Sequence, residues 1–150
     1  MKQITLNLSP IDTRPIVQLD SVLKFPAMLD TGARFPVWNY DEEILQTIGG
    51  EKIRENVSFG GFGGMTQGTL YRIKSLRVGE LLFPHLPVVA AKLDVPCYML
   101  LSATMFDRLI YEIDKFHHKL NITIPDTESS VRNIKDYDDN GRLKIVLAND

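Results

Sequence analysis

The segment Ala27-Met28-Leu29-Asp30-Thr31-Gly32-Ala33 constrains this chain more than any other. It places a carboxylate directly after an apolar run fit for burial, and an ionisable group at the edge of a core is costly unless something partners it. One reading makes Asp30-Thr31-Gly32 a tight turn, with Asp bonding its own backbone and Gly supplying a positive φ. The other gives the carboxylate chemical work to do.

The surrounding pattern is that of a mainly β protein. Ile4, Leu6 and Leu8 share one face of an extended segment that ends at Ser9-Pro10. Ile16-Val17-Gln18-Leu19 and Phe25 to Leu29 follow as strands, the second running straight into Asp30. Asp41 to Gly50, with acids in its first turn and glycine at its end, predicts a short helix. Val57-Ser58-Phe59 and Thr69 to Ile73 read as a hairpin around the tip Gly60-Gly61-Phe62-Gly63-Gly64. Leu86 to Ala91 and Tyr98 to Leu101 look like buried strands. Ser102 is placed to cap a helix from Ala103 to about Ile113, and Asn121 to Ile124 closes the β pattern. Residues 125 to 141 read as an acidic linker, and Arg142 to Leu147 as one more strand after the turn signal Asn140-Gly141.

Composition removes several classes. The chain has 150 residues, 44% of them hydrophobic and 24% charged, which suits one domain with an ordinary core. A net charge of −2 leaves no basic stripe for nucleic acid. Residues 1–124 carry 13 acidic and 13 basic side chains and residues 125–150 carry 6 and 4, so the net charge belongs to the tail. The single cysteine, Cys97, excludes an intrachain disulfide and reads as a small buried hydrophobe. The alternating Met1 to Leu8 lacks the apolar block of a signal peptide, and no apolar run approaches the ~18 residues of a membrane span. The expected compartment is therefore the cytoplasm, with no membrane partner.

One Asp-Thr-Gly-Ala at 30–33, a glycine-rich tip at 60–64 and the apolar pair Leu100-Leu101 before a small residue occur in that order. Together they resemble the retropepsin-like aspartic proteases, the single-domain relatives of retroviral proteases. The resemblance covers residues 1–124 and implies a mainly β, closed barrel-like acid protease fold with a flap hairpin and one short C-terminal helix. Residues 125–150 are an appended acidic tail. Where the family has glycine after the two apolar residues, this chain has Ser102.

The resemblance also implies a mechanism. Asp30 from each of two protomers meets its twin, and like charges ~3 Å apart cannot both ionise, so the pair shares one proton. The ionised member activates water to cut a peptide bond. Thr31 locks the two loops together and Gly32 lets the backbone approach the pair. Ala33, Gly60, Gly61, Phe62, Gly63 and Gly64 contact the peptide, with Arg34 and Phe35 flanking the cleft. The expected partners are a second copy and a peptide or protein substrate, with no cofactor and no metal. A non-catalytic peptide-binding module of the same fold is the alternative.

Other signals are weaker. Gly63-Gly64-Met65-Thr66-Gln67 leads into a strand rather than the Lys-Ser/Thr and helix of a phosphate loop. His117-His118 has no Cys, Asp or Glu at ligand spacing in sequence. Asp139-Asn140-Gly141 follows no apolar strand, so it is no second Asp-x-Gly loop. Trp38 reads as core or cleft wall.

Overall fold

The computed structural model describes residues 2–61, 64–125 and 146–147. Its strands are β1 (Lys2–Asn7), β2 (Ile16–Asp20), β3 (Lys24–Asp30), β4 (Val37–Trp38), β5 (Gly50–Gly61), β6 (Gly64–Val78), β7 (Leu81–Ala90), β8 (Met99–Ser102), β9 (Ile110–Asp114), β10 (Lys119–Ile124) and β11 (Val146–Leu147). One helix, α1 (Glu42–Thr47), and one 3-10 turn (Ala103–Phe106) complete the set. The short helix expected after Asp41 is present, and Asp41 caps it by accepting the Glu43 N–H at 2.7 Å.

The strands form two sheets. The smaller has the order β1-β10-β9, and the larger runs β2-β3-β8-β4-β7-β6-β5, with β11 added on β7. A single bridge, Leu8 to Val17, links β1 to β2. The larger sheet follows an open path from β2 to β5 among the described residues, so the expectation of a closed barrel is corrected. The reason lies in β5 and β6. Thr69 to Val78 of β6 pairs with β7, but Gly64 to Gly68 pairs only with β5. The far end of this hairpin is thus a two-stranded arm leaving the sheet rather than closing it. Its tip residues Phe62 and Gly63 lie outside the described residues, as does most of the tail.

The expected helix over Ala103 to Ile113 is also corrected. Only Ala103–Phe106 turns, and Ile110–Asp114 forms β9 instead. Apolar residues at 105, 106, 109, 110 and 113 fit a helix face, yet Ile110-Tyr111-Glu112-Ile113 is rich in residues that favour strands. Antiparallel pairing of Tyr111 with Ile122 and Ile113 with Leu120 decides the outcome. β10 lies between β1 and β9, so both of its edges are used. The tail strand expected over Arg142 to Leu147 is described only at Val146–Leu147, which pairs with Leu82 and Leu81 of β7.

The main core lies on one face of the larger sheet, with Phe25, Trp38, Ile73, Phe83, Met99, Leu101 and Leu120 fully buried. Trp38 satisfies its indole N–H on the Asp41 carbonyl at 2.9 Å, tying β4 to the start of α1. Among the described residues no helix is long and apolar enough to cross a membrane.

Gly79 joins the sheets. It opens the two-residue turn between β6 and β7 at φ 61°, a conformation costly for other residues, and a Cβ there would run into Leu6 of β1. We expect Gly79→Ala to lose about 1–3 kcal/mol from strain and overpacking. The urea midpoint measures it, and an unchanged midpoint would contradict the close approach.

Candidate active site

Asp30 is the last residue of β3, and β3 runs parallel to β8 with Asp30 opposite Ser102. Its Oδ1 accepts the Gly32 N–H at 3.0 Å, and its carbonyl accepts the Ala33 N–H at 3.1 Å. The tight-turn reading of Asp30-Thr31-Gly32 is therefore realised in the hydrogen bonds. Gly32 is absent from the positive-φ positions, and a Cβ there would sit 3.4 Å from Asp30 Oδ1, so the positive φ expected of it is corrected. The turn is made by the Asp side chain accepting a backbone N–H, which needs no left-handed residue. Asp30 is half-buried, Thr31 and Gly32 are exposed, and Ala33 is half-buried.

Strand alternation places Asp30 on a definite face. Ala27 and Leu29 of β3 join the main core, whereas Met28, two residues before Asp30, packs in a separate apolar cluster with Ile16, Val37, Cys97 and Leu100. Leu100 stands two residues before Ser102 in the same way. Asp30 and Ser102 therefore end two neighbouring strands on the face that carries this second cluster. That face is apolar, ends in a carboxylate and lies opposite the main core. Its signal was present in the sequence, because Met28 alternates with Ala27 and Leu29.

Ser102 is fully buried. It holds the capping position of the 3-10 turn without a side-chain cap bond, which corrects the capping role expected from sequence. Its Oγ lies 2.8 Å from Thr104 Oγ1, and Thr104 donates to the Arg34 carbonyl at 3.0 Å. Because the Thr104 hydroxyl has one proton and spends it on Arg34, Ser102 must donate to Thr104. The Ala103 N–H donates to the Ala33 carbonyl at 3.1 Å. Two points of attachment thus hold the loop after Asp30 against the end of β8. Nothing in the sequence motif singled out Thr104.

β4 is inserted between β8, to which it is antiparallel, and β7, to which it is parallel. The connection 91–98 from β7 to β8 therefore passes around the end of β4, and the residue that follows β4 is Asn39. Its Nδ2 donates to the carbonyls of Val95 at 3.2 Å and Cys97 at 3.1 Å, and its Oδ1 accepts the Leu93 N–H. Its own N–H donates to the Tyr98 carbonyl at 2.6 Å. Leu93, Val95 and Ala91 of this connection pack on the second apolar cluster. Burial pushes the Cys97 thiol above its usual pKa, in keeping with the hydrophobe expected.

Of the other residues expected at the site, Gly60, Gly61 and Gly64 belong to the paired hairpin arm, while Phe62 and Gly63 are outside the described residues. Arg34 is exposed and Phe35 is half-buried. His117 and His118 lie in the β9–β10 turn, not between a helix and a strand, and His117 Nδ1 meets Asp114 Oδ2 at 2.7 Å. Among the described residues no three His, Cys, Asp or Glu side chains gather to hold a metal.

Two predictions follow from these contacts. Thr104→Val keeps the shape but strands the buried Ser102 hydroxyl, so it should cost about 1–3 kcal/mol in urea unfolding. Adding Ser102→Ala should then cost less than its effect alone, and strict additivity would disprove the hydroxyl chain. At the β9–β10 turn, the His117 hydrogen bond holds the Asp114 carboxyl below its usual pKa. A depressed folded pKa gives stability that is present above about pH 4 and lost as pH falls through the folded value. Asp114→Asn should therefore shrink the loss of Tm on acidification, and an identical pH profile would refute the pair.

Comparison with known proteins bears on the family and the fold. A family model described as aspartyl protease matches residues 16–105. The crystal structure of a retropepsin-like aspartic protease from Rickettsia conorii resembles the fold with a TM-score of 0.56 at 16% identity, covering 82% of this chain and 91% of that one. No curated protein sequence matches. The structural likeness is one of fold, whereas the family match runs from the start of β2 through Asp30 to the 3-10 turn, and by that match this chain belongs to the aspartyl protease family.

Proposed function

We propose that this protein is an aspartic endopeptidase in which Asp30 from each of two copies forms one catalytic pair. The observation that carries the reading is the half-buried Asp30 at the end of the parallel β3–β8 pair, on the apolar second face, with Oδ1 oriented by the Gly32 N–H. Each chain brings a single Asp-Thr-Gly, so the chemistry needs two chains. Two adjacent carboxyls hold one proton between them because their negative charges repel. The ionised member takes a proton from a water, the water attacks the scissile carbonyl, and the protonated member supports the oxygen as charge develops on it. No cofactor enters these steps.

The β5–β6 arm serves as the flap. With Gly60, Gly61, Phe62, Gly63 and Gly64 at its end, it closes over an extended peptide and offers backbone hydrogen bonds in the manner of an added strand. The partly exposed Ala91, Leu93 and Val95, which pack on the second cluster, form an apolar wall for side chains flanking the cut. Thr31, exposed on the turn, is placed to bond across to the partner's loop, and Gly32 and Ala33 carry the backbone past the pair. The dimer contact uses an open sheet edge: in the smaller sheet these edges are β1 and β9, since β10 is paired on both sides.

Asp30→Asn should abolish hydrolysis of apolar-flanked peptides, at least 10³-fold being the scale on which a catalytic group acts, while leaving the unfolding transition in place. Retained cleavage would reject the assignment of Asp30. Wild-type protein that binds such peptides without cutting them would favour the non-catalytic module. Specific activity should also fall on dilution through the dimer's dissociation range, and activity independent of concentration in a monomer would exclude the shared pair.

A further inference from the structure

We propose that Asn39 is a specificity-determining positioning residue of the cleft: its amide sets the path of the 91–98 connection, and so the shape of the apolar wall beside Asp30. The inference rests on the protease reading and deepens it. The topology creates the need. β7 and β8 are joined by an irregular connection that wraps around the end of β4: its ends bond to strands, the Ala91 N–H to the Trp38 carbonyl at 2.9 Å and the Tyr98 N–H to the Pro26 carbonyl at 2.9 Å, while between them the Leu93, Val95 and Cys97 backbone groups meet a side chain instead. Backbone groups turned inward must find partners or pay for their lost water.

Asn39 supplies three of them from one side chain. Nδ2 gives both of its protons, to Val95 at 3.2 Å and to Cys97 at 3.1 Å, and Oδ1 takes the Leu93 N–H. Those bonds go to alternate residues 93, 95 and 97, and each of these side chains belongs to the second cluster or packs against it. The amide therefore fixes the three positions at which the loop meets Met28, Val37 and Leu100. An amide is required, because a carboxylate has no proton to offer two carbonyls and a hydroxyl has only one. Tyr40 closes the outside by stacking on Tyr98 at 3.8 Å between ring centroids and 3° between planes. Asn39 itself is half-buried, and its influence on a peptide passes through the loop it holds.

The test compares wild type with Asn39→Asp and Asn39→Ala on a peptide panel in which the apolar side chain next to the scissile bond varies from Ala to Phe. The ratio of kcat/KM between large and small side chains should change by about tenfold or more, the range over which a reshaped apolar pocket discriminates. The loss should fall on KM rather than kcat. The same panel, bound without turnover to Asp30→Asn with and without the Asn39 substitution, should show the same change in relative Kd. Hydrogen exchange should accelerate at residues 93–98 while β3 and β8 stay protected. Unchanged ratios in both panels would overturn the proposal, as would 93–98 exchange equal to wild type in both variants. If Asn39→Asp unfolds, Asn39→Ala, which removes the bonds without adding charge, carries the test. Failure of the protease reading shows separately, as cleavage surviving in Asp30→Asn or missing in wild type, and leaves the binding and exchange results to decide the role of Asn39.

Discussion

The parallel ladder between β3 and β8 is the constraint on which the rest of the structure depends. It aligns Ala27 to Asp30 with Met99 to Ser102, so one strand ends in a carboxylate exactly where its neighbour ends in a buried hydroxyl. Parallel strands cannot be joined by a tight turn, so a long excursion must separate them. That excursion contains β4, α1, β5, β6 and β7, and β4 returns to pair on the far side of β8. The hairpin arm, the insertion of β4 and the loop around its end all follow from bringing residues near 30 and 102 side by side.

Such an arrangement divides the labour of the two sheet faces. Phe25, Trp38, Met99 and Leu101 fill the main core on one face, where their burial supplies most of the driving force. The other face carries only Ile16, Met28, Val37, Cys97 and Leu100 as its buried members. A cluster this small contributes less to folding, and it sits on the face of β3 that ends in Asp30. Around it part of the irregular backbone is satisfied by side chains rather than by strands. Thr104 reaches Arg34, and Asn39 reaches residues 93, 95 and 97. Polar groups thus hold the loops that frame the apolar face, and directional bonds suit that task better than apolar contact, which tolerates sliding.

Ser102 illustrates how a departure from a family pattern is absorbed. A glycine there would leave space beside Asp30, whereas the serine fills it with a hydroxyl that must be paired. Thr104, two residues on, accepts its proton and passes a hydrogen bond of its own to the Asp30 loop. The added side chain becomes an attachment rather than an obstruction.

Local pattern alone determined the strands around Ile16, Phe25 and Leu86, the short helix after Asp41 and the hairpin of β5 and β6, because alternation, first-turn acids and glycine act within a few residues. It misread Ala103 to Ile113 as a helix, since the apolar spacing fits two periods and only pairing with β10 chooses between them. The closed barrel that the family resemblance implied also fails, since closure depends on whether two distant edges meet. The roles of Asn39 and Thr104 were illegible for the same reason. Each is an ordinary polar residue until the chain returns, 54 to 70 positions away in sequence, to present the backbone group it bonds. Tertiary structure decides what long-range partners a residue has, and for Asp30 it sets the carboxylate opposite the buried Ser102 at the end of a parallel strand pair.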